Sequence, residues 1–138
     1  LRRPFLSLRR SWAGWWRRAV RRTPDNPLFD EAYYVAAYPD VLESGCDPYA
    51  HYLEHGAQEG RNPNSMFDTR FYLERYPDVA EAGLNPLLHY LRHGATELRD
   101  PHPLFSAQWY VQQTPGLAQS GENPLAHYLA GQRSPTVR

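Results

Sequence analysis

This 138-residue chain has no lysine and a single cysteine. Cys46 is the single cysteine, so neither an internal disulfide nor a cysteine-based zinc site can form. No apolar run approaches the roughly 18 residues that span a bilayer, and the arginine-rich start lacks the apolar core of a signal peptide. With 41% apolar and 22% charged residues, the composition is typical of a soluble globular protein.

The basic residues are all arginine, and they are unevenly distributed. Eight of the fifteen lie within residues 1–22, whereas the rest of the chain holds seven arginines and fifteen acids. A segment of net charge +8 therefore precedes a body of net charge −8. This asymmetry favours an anionic partner for the first segment, or its docking on its own body. Because the sequence begins at Leu1 instead of methionine, we expect a fragment or a misassigned start.

Residues 1–24 are predicted to form a basic amphipathic helix, because apolar side chains follow helical spacing and arginines fill the remaining surface. Such a helix suits an anionic membrane interface, and it can equally pack its tryptophans on the first repeat or on a catalytic domain. Nucleic acid is the least favoured partner because no recognised nucleic-acid fold accompanies the helix. The residues of this membrane or docking surface are Trp12, Trp15, Trp16, Arg9, Arg10, Arg17 and Arg18.

The strongest pattern in the chain is a 38-residue repeat in three copies. Residues 26–63 match residues 64–101 at 20 of 38 positions without a gap. We name the copies segment one (25–63), segment two (64–101) and segment three (102–132); a tail, 133–138, follows. A fixed period of this length indicates stacked supersecondary units. Side chains shared by all three copies include Phe29, Phe67 and Phe105; Tyr34, Tyr72 and Tyr110; His51, His89 and His127; Tyr52, Tyr90 and Tyr128.

Each segment is predicted to form two short helices joined by a Pro/Gly turn. In segment one, the first helix begins at a capping residue, Asp30, and Phe29 and Tyr34 have the spacing of a hydrophobic staple. The second helix begins at an Asx-Pro pair, 47–48, and Gly56 suits a left-handed C-terminal cap, as does its counterpart in segment two, Gly94. Helices of about 8–10 residues are unstable alone. We therefore expect an all-α fold in which helical-hairpin repeats pack into a small solenoid or bundle.

Segment three departs from the pattern of the other two. Thr114, Gly116 and Gly131 stand where the repeat predicts tyrosine, aspartate and histidine. An atypical last unit is typical of a terminal cap in a repeat array.

Two histidine pairs, His51/His55 and His89/His93, have the i, i+4 spacing that can place two imidazoles on one metal. Helical geometry turns them away from the apolar stripe of tyrosine and leucine. The favoured interpretation is structural: the second histidine of each pair favours the negative helix C-terminus, and the first bonds a neighbouring unit. A binding surface is the alternative, and no metal is expected because no third ligand lies nearby in sequence.

Charged side chains near the turns give a second set of candidates. Asp40 and Asp78 could be catalytic acids, although helix-start caps are favoured. Arg61 and Arg99, each two residues after a glutamate, could bind a sugar or a phosphate, although solvated or inter-repeat ion pairs are favoured. The tyrosines could stack on carbohydrate, yet their helical spacing favours a core role. No nucleophile elbow or phosphate loop is present.

Three strings of the repeat resemble a tandem repeat that accompanies bacterial glycosyltransferases and related surface-polysaccharide proteins. They are Tyr-Pro-Asp-Val (38–41 and 76–79), Asn-Pro-Leu-Leu-His-Tyr-Leu-Arg-His-Gly (85–94) and Glu-Gly-Arg-Asn-Pro (59–63). The resemblance covers about residues 26–132, and it transfers no catalytic residue. It implies a multidomain cytoplasmic enzyme that makes capsule, O-antigen or a similar glycan, in which this repeat lies beside a catalytic domain.

Together these observations predict a non-catalytic helical repeat module that positions a glycosyltransferase-like enzyme on a membrane, a partner or a glycan. We expect no cofactor and a location in the cytoplasm, peripheral at the inner membrane if the basic helix binds lipid. The alternative is a freestanding interaction or membrane-surface adaptor unrelated to sugar chemistry. An enzyme assembled from the repeated histidines and acids is the least favoured interpretation.

Overall fold

Short helices build residues 26–133, the part of the chain that a computed structural model describes. This range contains no strand, only the isolated bridges Asn64–Phe67 and His102–Phe105, so the all-α expectation is confirmed for it. The helices are α1 (Glu31–Ala37), α2 (Asp40–Ser44), α3 (Pro48–His51), α4 (Thr69–Arg75), α5 (Pro77–Glu81), α6 (Pro86–His89), α7 (Ala107–Gln113), α8 (Leu117–Ser120) and α9 (Pro124–Arg133).

The first helix of each segment begins as the sequence predicts. The Asp30 carboxylate accepts a hydrogen bond from the Tyr33 amide at 3.0 Å, and Asp68 and Ser106 cap α4 and α7 in the same way. The staple is also confirmed, because the rings of Phe29 and Tyr34 lie 5.3 Å apart. The corresponding ring pairs in segments two and three are each separated by 5.2 Å. These local contacts fix where the first helix starts and which side it buries.

Each segment has three helical pieces, not the two predicted. In segment one the chain turns at Tyr38 and starts α2 at once, because Pro39 has a fixed φ and needs no amide partner at a helix start. Helix α2 ends at Gly45, whose φ of 76° is left-handed. The Asp47 side chain then caps α3 by accepting from the Ala50 amide at 3.0 Å. The segment therefore folds back on itself within a few residues.

In segments one and two the last helix changes its winding. Helices α3 and α6 continue as π-helical turns, Tyr52–Gly56 and Tyr90–Gly94, whereas α9 of segment three runs as one α-helix to Arg133. The expectation of a left-handed cap at Gly56 and Gly94 is therefore wrong. Both glycines lie inside a helical turn, and the left-handed residues come four positions later, at Gly60 and Leu98.

The core is a continuous cluster of aromatic and aliphatic side chains contributed by all three segments. Its fully buried rings and chains include Leu28, Tyr34, Val41, Tyr52, Leu53, Phe67, Tyr72, Val79, Leu87, Tyr90 and Leu125. Burial of such side chains stabilises helices that are too short to persist alone.

Polar bonds join segment one to segment two at their junction. The hydroxyl groups of Tyr52 and Thr69 are 2.9 Å apart, and the Asn64 side-chain amide donates to the Leu28 carbonyl at 2.6 Å. A similar link recurs at the next junction, where the Ala107 amide donates to the Asp100 carboxylate at 2.9 Å. Residues that precede and begin the first helix of one segment therefore contact the preceding segment.

Candidate functional site

The first histidine of each pair is held by a tyrosine of its own segment. Tyr34 on α1 and His51 on α3 are joined through the phenol oxygen and Nδ1 at 2.9 Å. The same pair recurs at 38-residue intervals, as Tyr72–His89 at 2.8 Å and Tyr110–His127 at 2.7 Å. The expectation that His51 and His89 bond a neighbouring unit is therefore wrong. Each bond ties the first helix of a segment to its last.

The environment of this bond keeps both partners neutral. Burial lowers the pKa of the His51 imidazole below its ordinary 6.5, and the nearby Arg61 cation acts in the same direction. Burial likewise raises the pKa of the Tyr34 phenol well above 10. The phenol therefore keeps its proton and can donate it to the neutral Nδ1. Only 8% of His51 is exposed, so the prediction that it turns away from the apolar face is also wrong.

The second histidine of each pair lies near the first but at a more exposed place. The ring centroids of His51 and His55 are 5.5 Å apart, and those of His89 and His93 are 5.6 Å apart. His55 Nε2 lies 3.8 Å from a Glu54 carboxylate oxygen. Within residues 26–133, no cluster of three or more His, Cys, Asp or Glu side chains has the geometry of a metal site.

A second recurring arrangement centres on an arginine. The Arg61 guanidinium donates two hydrogen bonds to the Asp40 carboxylate, at 3.0 and 2.9 Å, and its Nε lies 2.9 Å from Glu59. Its Cζ stands 4.8 Å from the centroid of the Tyr38 ring. Arg99 repeats the whole arrangement with Asp78, Glu97 and Tyr76. We call these two sets the arginine clusters.

The arginine clusters show which of the predicted roles, helix cap, ion pair or ligand binding, the aspartates and arginines near the turns have. The expected ion pairs form between Arg61 and Glu59 and between Arg99 and Glu97, and they lie within one segment and not between repeats. The predicted cap role of Asp40 is wrong, because α2 shows no side-chain cap and both Asp40 oxygens accept from the arginine. These bonds hold the pKa of Asp40 below its usual value. With two carboxylates and a ring already on each guanidinium, neither arginine is poised for an anionic ligand.

Two glycines that sequence reasoning assigned to caps serve the Tyr–His bond instead. A Cβ atom on Gly56 would collide with the Tyr34 hydroxyl, and one on Gly94 would collide with the Tyr72 hydroxyl. The π-helical turn brings the backbone against the phenol, and only glycine leaves room for it. The signal was present in the sequence, because glycine recurs five residues after the bonded histidine in segments one and two.

Two further functional side chains were missed by the sequence reasoning. The phenol oxygens of Tyr38 and Tyr76 accept hydrogen bonds from the backbone amides of Asn62 and Asp100, at 2.9 and 2.7 Å. Each tyrosine therefore holds the loop that carries its arginine while the ring supports the guanidinium. Their recurrence beside Pro-Asp was visible, but a contact across 24 residues has no local signature.

Two pockets lie beside these structures. The larger, of about 340 Å³, lies between segments two and three, with Leu91, Ala95, Val111, Leu117 and Pro124 among its lining residues. A smaller one, of about 70 Å³, is lined by Leu84, Asn85, Leu88, His89, Arg92 and His93.

The predicted membrane or docking surface is the last set of candidate residues. Trp12, Trp15, Trp16 and the arginines at positions 9, 10, 17 and 18 lie outside the described residues. In the part of the chain that is described, every helix is too short or too polar to cross a membrane.

No protein-family model, curated protein or solved structure matches the chain.

Proposed function

We propose that the three segments form a short helical solenoid that acts as a non-catalytic module of a glycosyltransferase-like surface-polysaccharide enzyme. One observation carries the non-catalytic part: the side chains that could do chemistry are engaged inside their own segments. His51 and His89 bond buried tyrosines, and Arg61 and Arg99 each hold two carboxylates. Groups used in this way stabilise a scaffold.

The solenoid part of the proposal rests on the recurrence of contacts. The Tyr–His bond appears in all three segments, the arginine cluster in two, and junction bonds lie at both boundaries. Units that each contact only their neighbours are the defining property of repeat proteins. The sugar context rests on the resemblance of the repeat strings to those beside bacterial glycosyltransferases.

If the module positions an enzyme, its basic N-terminal residues should attach it to an anionic surface. The chain has a net charge of +8 over residues 1–22, ahead of an acidic body. Cationic amphipathic segments with tryptophan bind anionic lipid surfaces. The full chain should therefore co-sediment with vesicles containing phosphatidylglycerol and not with pure phosphatidylcholine vesicles. A variant with Arg9, Arg10, Arg17 and Arg18 changed to Gln is the control and should remain in the supernatant.

The same preparation tests the absence of catalysis. We expect no sugar transfer from nucleotide-sugar donors and no glycan hydrolysis by the wild-type chain. Transfer or hydrolysis that disappears in the His51→Gln/His89→Gln variant would contradict the proposal. If the chain binds neither kind of vesicle, the membrane part of the proposal is contradicted. A protein or a glycan then remains as the partner on which the module positions the enzyme. A glycosyltransferase domain in the same reading frame would support the sugar context.

A further inference from the structure

Side chains that face the next segment become exposed at the end of segment three. Leu28 is fully buried, its counterpart Met66 is half-buried, and the third counterpart, Leu104, is 82% exposed. Trp109 on α7 is 60% exposed, although its counterpart Phe71 is half-buried. Large exposed apolar side chains that cluster mark interaction sites more often than isolated ones do.

The tyrosine at the junction follows the same trend. Tyr52 and Tyr90 are fully buried, whereas the equivalent Tyr128 is half-buried. In segment one the covering residues come from the start of segment two: Thr69 bonds the Tyr52 hydroxyl, and Asn64 bonds the Leu28 carbonyl. Leu104, Trp109 and Tyr128 define what we call the carboxyl-end face; the segment-one counterparts of Leu104 and Tyr128, Leu28 and Tyr52, bond residues at the start of segment two.

At the start of segment one, side chains are exposed whose counterparts in segments two and three contact the preceding segment. Thr69 and Ala107, which begin the first helices of segments two and three, are fully buried, yet the equivalent Glu31 is exposed. Leu42 on α2 is 63% exposed; its counterpart Ala118 is exposed too, and lines the pocket between segments two and three. Glu31 and Leu42 therefore mark what we call the amino-end face, the side of a segment that meets the segment before it.

We propose that a second copy of this chain binds head to tail, with its amino-end face on the carboxyl-end face of the first. The contact between the two copies would repeat the junction between successive segments. The surface of the second copy that makes this contact is therefore the start of its segment one. The bond between Tyr52 and Thr69 would be replaced by the Tyr128 hydroxyl donating to the Glu31 carboxylate, a donor matched to an acceptor. The contact is heterologous, because each chain uses two different surfaces.

This inference goes beyond the proposed function, because it concerns assembly of the module with itself. Sedimentation velocity of the full chain over a concentration series should show reversible self-association. Trp109→Gln, at one end, should weaken association by about tenfold or more, because buried interface tryptophans are frequent hot spots. Glu31→Lys, at the other end, should weaken it as well. Leu84→Gln, an exposed leucine of the middle segment, is the control and should associate as the wild type does.

Mixing the two defective variants gives the sharpest outcome. The Trp109→Gln chain keeps an intact amino-end face, and the Glu31→Lys chain keeps an intact carboxyl-end face. At concentrations where the wild type associates, neither variant should associate appreciably alone, but their mixture should form a dimer and nothing larger. Both altered side chains are exposed, so unchanged thermal melts show that the variants are folded.

Three results would overturn the proposal. The first is a wild-type chain that stays monomeric at every concentration. The second is association that survives Trp109→Gln but is lost when Trp15 and Trp16 are changed to Gln, because the N-terminal residues would then be the cause. The third is a mixture of the two defective variants that fails to dimerise. Vesicle binding is measured separately, so failure here leaves the proposed function standing.

Discussion

Segments one and two differ from segment three in how tightly they enclose the same Tyr–His bond. Tyr34 and Tyr72 are fully buried, each with a glycine backbone against its hydroxyl, whereas Tyr110 is only half-buried. Segment three has Gln132 at the glycine position, and its last helix has no π-helical turn. Yet the Tyr110–His127 bond is kept, at 2.7 Å.

The comparison shows which features of segments one and two are kept in segment three and which are absent from it. Gly116 replaces the aspartate of the arginine clusters, so segment three cannot form that ion pair. The hydrogen bond between the first and last helices therefore persists without the ion pair and without the glycine contact. We infer that the Tyr–His bond closes each segment, while the tighter packing is found in segments one and two.

The largest expected effect comes from removing the buried ring. Tyr34→Ala should lower the free energy of unfolding by about 3–5 kcal/mol, the usual cost of deleting a large buried aromatic side chain. Tyr110→Ala should cost clearly less, because that ring is half-buried. Urea denaturation of both variants provides the measurement. Equal losses would break the comparison between the segments.

The glycine contact gives the next largest effect. Gly56→Ala should destabilise the protein by about 1–3 kcal/mol, because the new methyl group overpacks against the Tyr34 hydroxyl. Gly131→Ala is the matched control: it lies within α9 with open space around it, and should be neutral or slightly stabilising. Adding Tyr34→Phe to Gly56→Ala should recover part of the loss. If both glycine variants behave alike in thermal melts, the close contact is absent.

The buried His51 and the half-buried His89 predict a pH dependence. Their pKa values are lowered below 6.5 by burial, so the unfolded chain binds protons more readily than the folded chain. The stabilisation is complete above pH 6.5 and is lost as the pH falls below that value. Changing His51 and His89 to Gln should flatten this slope in a series of urea titrations. A wild-type stability that stays constant from neutral to mildly acidic pH would contradict the burial of these groups.

The arginine clusters should contribute least. Arg61→Gln should lower Tm only slightly, because Asp40 is exposed and surface ion pairs are worth little. The decrease should shrink further at high salt, where exposed charges are screened. A large loss that is insensitive to salt would show that the cluster is a main structural element of segments one and two.

The start of the first helix in each segment was predictable from the sequence, whereas the helix ends and the contacts between distant residues were not. The caps at Asp30 and Asp68 and the staple of Phe29 on Tyr34 depend on neighbours within one turn, and all are confirmed. The Tyr34–His51 bond joins residues 17 apart on different helices, so no local pattern in the sequence indicates it. For the same reason the role of Gly56 became clear only from the ring that approaches it.

A double-mutant cycle on Tyr34 and His51 tests the central claim most directly. Tyr34→Phe, His51→Leu and the double variant are compared with the wild type in the free energy of unfolding. The account predicts a coupling energy of about 0.5–3 kcal/mol, the range for groups in direct contact. Independent, additive losses would show that the two side chains do not stabilise each other, and would contradict the view that this bond closes each segment.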